Sequence, residues 1–584
     1  MKKIVTLLFI LTNCFISVSA ITVRQATGNQ ESITITWDAV TDAALYEVYY
    51  SGEGVENKKT DCQLIRQYQD YWRADILGLK AGNYSVKVTA VNSNGQLLEY
   101  TTLDNIIVEK YKREGFAFTD GNVPGAYNLD GTLKEDARVI YLWKDNANTV
   151  ETDIVYDAKS RVKTAVGVCD IMKIIGYGYD HVPTAIRIIG SLSAEDVSGL
   201  NKLKYIELTG ANNSNRMIEN ITVEGVGDDA TMTGGIAIHL KRSKNIEVRN
   251  IGFMLFADDG VSMENDNSYI WVHNNDFFYG AVGSASDKKK GDGSIDMKYE
   301  TTNITISYNH FWDSGKTTFA GGEKESGPIY FTYCGNWFDH ADSRLPRLCH
   351  ATAHVYNNYY DGNPTMGMLC VEGTSAFSEA NYYRNCLWPM MINMQGSNYE
   401  KWPDGTQEGG MIKAYNNHFE GNYTLITQKE RPADFDAYEV NSRGEIIPES
   451  VVCKKGGHAY SNFDTSDLMY EYSPIAPEDV KDDVMKYAGR VGGGDLKWDF
   501  NDSVDDASNS VNETLKAALV GYTSKLVAIQ SNDNLTAVRK IFVLEEKNAG
   551  TACNLAGQIL PKSCVNADGI HIIGGKKMLK GFYK

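Results

Sequence analysis

The sequence predicts an all-β chain: a right-handed parallel β-helix, preceded by a small antiparallel β-sandwich and followed by a small C-terminal module. Two observations carry that prediction and a third narrows it. A strand phrase closed by asparagine recurs through the middle of the chain at spacings of about 20 to 35 residues, the mark of a solenoid. Residues 21–108 alternate apolar and polar positions with a period of two between turn signals. Of 584 residues 42% are hydrophobic, with 53 Gly, 12 Pro and no low-complexity tract, which excludes a disordered or collagen-like chain.

Taken in order, residues 1–20 read as a secretory signal peptide. Lys2 and Lys3 precede an apolar run from Ile4 to Ile10, and Val18-Ser19-Ala20 closes it with small residues. No other stretch reaches the roughly 18 apolar residues of a membrane helix. The expected compartment is therefore the periplasm, the cell surface or the medium. Residues 21–108 form the sandwich, with strands at Ser32–Trp37, Tyr46–Tyr50 and Tyr84–Val91. Trp37, with Leu79, Gly82 and Tyr84 further on, resembles the fibronectin type III pattern, which implies a spacer or accessory domain.

The β-helix is expected over residues 112–522. Its phrase reads Asn245-Ile246-Glu247-Val248-Arg249-Asn250 and returns at residues 269–275, 303–309, 329–336, 353–358 and 412–417. Each instance is a short strand ending in Asn, which tolerates the left-handed backbone of a sharp bend. One strand per coil is expected, with stacked asparagines along the axis and insertions as loops on one face. A helix is expected from Asp502 to Tyr522, with Leu515, Ala518 and Leu519 on one side. Residues 535–584 resemble C-terminal sorting modules of surface-exporting bacteria.

Charge narrows the partners. With 57 basic and 75 acidic residues the formal charge is −18. Removal of the signal leaves 55 − 75 = −20. A nucleic-acid or anionic-membrane partner is excluded by that balance. Nine of ten Cys survive signal removal, an odd number that predicts at least one free thiol, and no CxxC pair suggests zinc. Gly176, Gly178, Gly225 and Gly227 lack the following helix and acid of a dinucleotide site.

Three acids stand out against the repeat. Asp259 lies in Asp258-Asp259-Gly260, and Asp292 and Asp296 flank Gly293-Ser294-Ile295. Alone, such Asp-Gly pairs are more often turns, yet carboxylates on adjacent coils also suit a hard cation such as calcium. The next coils change the weight of these readings. Residues 303–321, with Lys316, resemble the stretch bearing the active-site lysine of family 1 pectate lyases. Ser343-Arg344-Leu345-Pro346-Arg347 resembles that family's Arg-x-Pro-Arg segment. The resemblance spans about residues 115 to 500.

It implies a monomeric enzyme that cleaves polygalacturonate by β-elimination. Asp259, Asp292 and Asp296 would be calcium ligands, Lys316 and Arg347 contacts to substrate carboxylate, and Arg344 the base. Free arginine stays protonated to about pH 12, so calcium, Lys316 and burial are expected to ease its deprotonation, and an alkaline optimum follows. Three departures stand out: Cys349 where the family has a further Arg, Trp271-Val272-His273-Asn274 for its Trp-x-Asp-His, and Ser314 for His. A non-catalytic pectin-binding protein and a β-helix glycoside hydrolase are the competing readings.

Overall fold

The computed structural model describes residues 20–212, 216–281, 289–322 and 325–530, and short strands between 552 and 580. Nearly all of the expected signal segment lies outside the described residues. So does the C-terminal module, apart from the strands Ala552–Cys553, Ile559–Leu560, Gly569–Ile573 and Lys576–Lys580, which form one antiparallel sheet. The chain divides into two compact units, residues 1–109 with 526–584, and residues 110–525.

In the first unit, strands Val23–Gly28, Ser32–Trp37, Trp72–Leu77, Ile65–Tyr68 and Leu526–Ile529 make one antiparallel sheet. Strands Val55–Lys59, Leu45–Gly52, Gly82–Val91 and Leu97–Val108 make a second. Alternation places Ile33, Ile35 and Trp37 from the first and Val48, Val86 and Val88 from the second in one apolar core, a β-sandwich.

The second unit is a parallel β-helix. A coil carries up to three strands rather than the expected one, because two short strands flank each long one. The long ladder runs through Ser243–Arg249, Ser268–His273, Thr302–Ser307, Ile329–Cys334, Ala351–Tyr356, Ser375–Glu379 and Met411–Tyr415. A second ladder of two to three residues per coil runs from Gly252–Phe253 to His418–Glu420. A third, described below, bears the site.

Two internal stacks fix the register. Asn275, Asn309, Asn336, Asn358 and Asn381 are buried, and each amide donates to the side-chain oxygen of the Asn one coil on, at 2.9–3.2 Å, ending at Asn417. The same acceptors take the backbone N–H of Asn275, Asn309, Asn336, Asn358 and Asn381. The left-handed backbone falls one residue earlier than expected, on Asn274, Tyr308, Gly335, Asn357, Ala380 and Asn416. That division of labour explains the frequent Asn-Asn pairs: the first turns the chain and the second stacks. Beside them Phe253, Phe277, Phe311, Phe338, Tyr360, Tyr383 and Phe419 stack at 4.3–5.3 Å between centroids.

The helix expected over 502–522 is two short ones, Asp502–Asp505 and Glu513–Val520. Asp506 closes the first helix with a helical backbone (φ −53°, ψ −29°), its N–H donating to Asp502 O at 3.3 Å, while Arg384 holds its side chain through two bonds of 2.8 Å and Asn385 adds a third. Asn512 then caps the second helix by accepting from the Leu515 N–H at 3.1 Å. Among the described cysteines Cys169, Cys334, Cys370, Cys386 and Cys453 are free thiols.

Asn336→Ala should leave buried amides above and below without partners, lowering the unfolding free energy by about 1–3 kcal/mol per orphaned group. Urea denaturation checks this, and a change near zero would mean the stack adds no stability.

Candidate active site

The third ladder consists of Tyr205–Thr209, Ala237–Lys241, Val261–Glu264, Ile295–Lys298, Thr318–Ala320, Arg347–Leu348, Met368–Cys370 and Met390–Ile392. Val261, Met263, Ile295, Met297, Ala320 and Leu348 point into the core. The alternate residues therefore face outward. Register lines these up as Ser262, Asp296, Phe319, Arg347 and Leu369, one per coil. Of the residues singled out in the sequence, Asp296 and Arg347 thus share this column because of how the coils pair, although they are far apart in sequence.

At one end of this column four carboxylates converge. Asp258, Asp259 and Asp292 bring one carboxylate oxygen each within 4.8 Å of one another. Asp296 joins them across Gly293. The point a Cβ would take on Gly293 is 2.4 Å from Asp296 Oδ1 and 3.1 Å from Asp259 Oδ1, so both oxygens face one small space that a side chain would fill. Asp259 and Asp296 are each 5% exposed, and Asp296 Oδ1 has no hydrogen-bond partner among the described residues. Burial, and then the charge of Asp296, push the Asp259 carboxyl well above the usual carboxylate range, with Asp258 and Asp292 adding to the effect.

Such a set of mutually repelling hard oxygen donors, two of them buried, fits a divalent cation of the calcium type. Partial compensation comes from Lys298, whose Nζ lies 2.8 Å from Asp296 Oδ2. Burial works against the Lys298 charge, yet Asp296 outweighs it and holds the ammonium above the usual lysine range. Tyr205 closes the other side. Its hydroxyl donates to Asp258 Oδ2 at 3.1 Å and accepts the Asp259 N–H at 2.9 Å. Ser262 donates to Asp259 Oδ2 at 2.9 Å.

Cations gather beside the acids. The Phe319 ring, next to Asp296 in the ladder, has Lys298 Nζ at 5.7 Å, Arg344 Cζ at 5.9 Å and Arg347 Cζ at 4.7 Å from its centroid. Lys316 and Ser343 form a parallel bridge, which sets Lys316 next to the Arg344 segment. Arg344 has a left-handed backbone (φ 62°), and its carbonyl accepts the Thr318 N–H at 2.9 Å. Its guanidinium pairs with no carboxylate among the described residues, whereas Arg66, Arg187, Arg249, Arg384 and Arg490 are all in ion pairs. Arg344 is half-buried rather than fully enclosed.

Arg347 bonds the side chain of Gln407. Cys349 is buried with Leu369, Val371 and Met391, so no cation stands at that position. Ser314 is buried 3.1 Å from Ser294. Trp271 stacks on His273 at 3.4 Å, a buried structural pair. Sequence reasoning missed Asp258, Tyr205, Lys298 and Phe319. Asp258 and Lys298 were signalled by their spacing from Asp259 and Asp296. Phe319 and Tyr205 join only through cross-coil register, which no local pattern encodes.

The pectate lyase family profile matches residues 158–492. The chain is 24% identical over 382 residues to pectate lyase 2 of Pectobacterium carotovorum, spanning 64% of this chain and 89% of that one. It is 28% identical over 280 residues to pectate lyase B of Dickeya chrysanthemi, covering 46% and 67%. Among solved structures it resembles a pectate lyase from Bacillus sp. N165 in complex with trigalacturonate. There the TM-score is 0.45, the identity 18%, and the coverage 65% of this chain and 99% of the other.

Gly293→Ala would thrust a methyl group against Asp296 Oδ1. It should weaken calcium binding by tenfold or more, on the order of 1.4 kcal/mol, as read by isothermal titration calorimetry. Undiminished affinity would place any bound ion elsewhere.

Proposed function

The chain belongs to the pectate lyase family, and on that premise we propose that it is a secreted, calcium-dependent enzyme. Its substrate is α-1,4-linked polygalacturonate, which it cleaves by β-elimination to unsaturated oligogalacturonides. The observation that carries this reading is the outward face of the third ladder. There, acids able to hold a hard cation stand one coil from Phe319 and its ring of cations.

Asp259, Asp292 and Asp296 would hold a calcium ion, with Asp258 beside them; when bound, the ion would withdraw charge from a uronate carboxylate and acidify the adjoining C–H. Lys316, next to the Arg344 segment, would contact the same carboxylate and steady the negative charge that develops on it. Arg344 would take the proton from the carbon beside the carboxylate. The freed electron pair forms the C=C bond as the glycosidic bond breaks, and the departing oxygen gains a proton from solvent. The Arg344 guanidinium pairs with no carboxylate among the described residues, so no ion pair competes with its role as base.

Hydrolysis is the weaker reading. It needs two carboxyl groups on either side of a scissile bond, about 5–9.5 Å apart, one of them a general acid. The carboxylates here converge on one point instead. Export is supported by the signal-like pattern of residues 1–20.

Incubation with polygalacturonate, with calcium or with a chelator, tests the proposal when ultraviolet absorbance and reducing ends are followed together. Both should rise with calcium and neither with chelator. Reducing ends without new absorbance would make the protein a hydrolase, and neither signal would leave a binding protein. Arg344→Ala should cut kcat by about 10²–10⁴-fold with the circular dichroism spectrum unchanged. Turnover near the parent level would show that the base lies elsewhere.

A further inference from the structure

One buried lysine links the three loops that carry the proposed machinery. Lys290 is 4% exposed, and its Nζ reaches Asp313 Oδ1 at 2.5 Å and Asp342 Oδ1 at 2.8 Å. Each partner lies close in sequence to a different part of the site. Lys290 stands two residues before Asp292, Asp313 three before Lys316, and Asp342 two before Arg344. We propose that Lys290 is a positioning residue for the lyase reaction, holding the cation loop, the Lys316 loop and the Arg344 loop in mutual register through Asp313 and Asp342.

This inference rests on the function proposed above, but its geometry stands by itself. The ammonium is screened from water and both carboxylates converge on it, so its position is fixed by charge as well as by packing. Charged groups are seldom buried unless paired. The surroundings are equally constrained. The Tyr279 hydroxyl donates to the second oxygen of Asp313 and accepts the Asn512 N–H at 2.9 Å. A Cβ on Gly315 would stand 3.2 Å from the Lys290 Cβ, so the lysine stem lies against the residue preceding Lys316. Backbone bonds continue the link: Asp342 N–H donates to Ser314 O at 2.8 Å, Thr317 N–H to Ser343 O at 3.1 Å, and Ser294 N–H to Thr317 O at 2.9 Å. The Lys290 and Asp313 side chains are 1% and 5% exposed and that of Asp342 15%. The bond from the Ser343 hydroxyl to Gly315 O at 2.8 Å and the Ser294–Ser314 hydroxyl contact at 3.1 Å add uncharged links between the same loops, and a shift of about 1 Å between catalytic groups can lower a rate a hundredfold.

Two variants separate positioning from simple stabilisation. Lys290→Met should lower kcat about 10- to 100-fold with little change in KM for polygalacturonate, and should weaken calcium binding. The second effect has a telling sign. Loss of a positive charge near the acids would by itself tighten a cation, so weakening reports displaced ligands. Lys290→Met/Asp313→Asn/Asp342→Asn removes the uncompensated buried charge. Its melting temperature should return towards that of the parent while kcat stays low. The inference fails if kcat recovers together with the melting temperature, or if Lys290→Met matches the parent in both rate and calcium affinity. If the parent protein shows no lyase turnover, the proposed reaction falls, and the calcium comparison still decides the role of Lys290.

Discussion

The pairing of each coil with the next is the constraint on which everything else in the β-helix depends. A parallel ladder pairs residue to residue, and a slip by one would turn every inward side chain outward. Buried asparagines oppose that slip, because each amide satisfies the coil before it and the coil after it at once. The aromatic stack opposes it again through shape. Fixed register is therefore what sets Ser262, Asp296, Phe319 and Arg347 in one outward column.

That rigidity allows an arrangement unfavourable in itself. Four carboxylates converge where two of them are nearly enclosed, which burial and mutual repulsion both oppose. Lys298 offsets part of the charge, and a bound cation would offset more. The formal charge of −18 acquires a local meaning here. The surface as a whole repels a polyanion, while the face proposed to bind one carries Lys298, Lys316, Arg344 and Arg347 beside the acids. Without calcium such a protein should hold polygalacturonate poorly.

Much of the long ladder was legible in the sequence because β-branched and aromatic residues alternate there and each strand ends in Asn. One coil escaped notice. Ser375–Glu379 has no β-branched residue, and it becomes visible only when the gap from Asn358 to Asn417 is seen as twice the usual spacing. The third ladder was harder still, since strands of two to five residues leave little room for a period to show. The acids, Lys316 and Arg344 were legible through their motifs. Phe319, Tyr205 and the link from Lys290 to Asp313 and Asp342 were not, because they exist only between coils. The helix expected over 502–522 is interrupted between Asp506, whose side chain is tied to Arg384 and Asn385, and Asn512, which caps a new helix.

The central claim is that one outward face holds both the cation and the uronate. A crystal structure of the protein soaked with calcium and an oligogalacturonate tests it most directly. Calcium is expected about 2.4 Å from oxygens of Asp259, Asp292 and Asp296, with a uronate carboxylate facing Lys316 and the adjoining C–H facing Arg344. Calcium bound away from these acids, or saccharide density on another face, would contradict it.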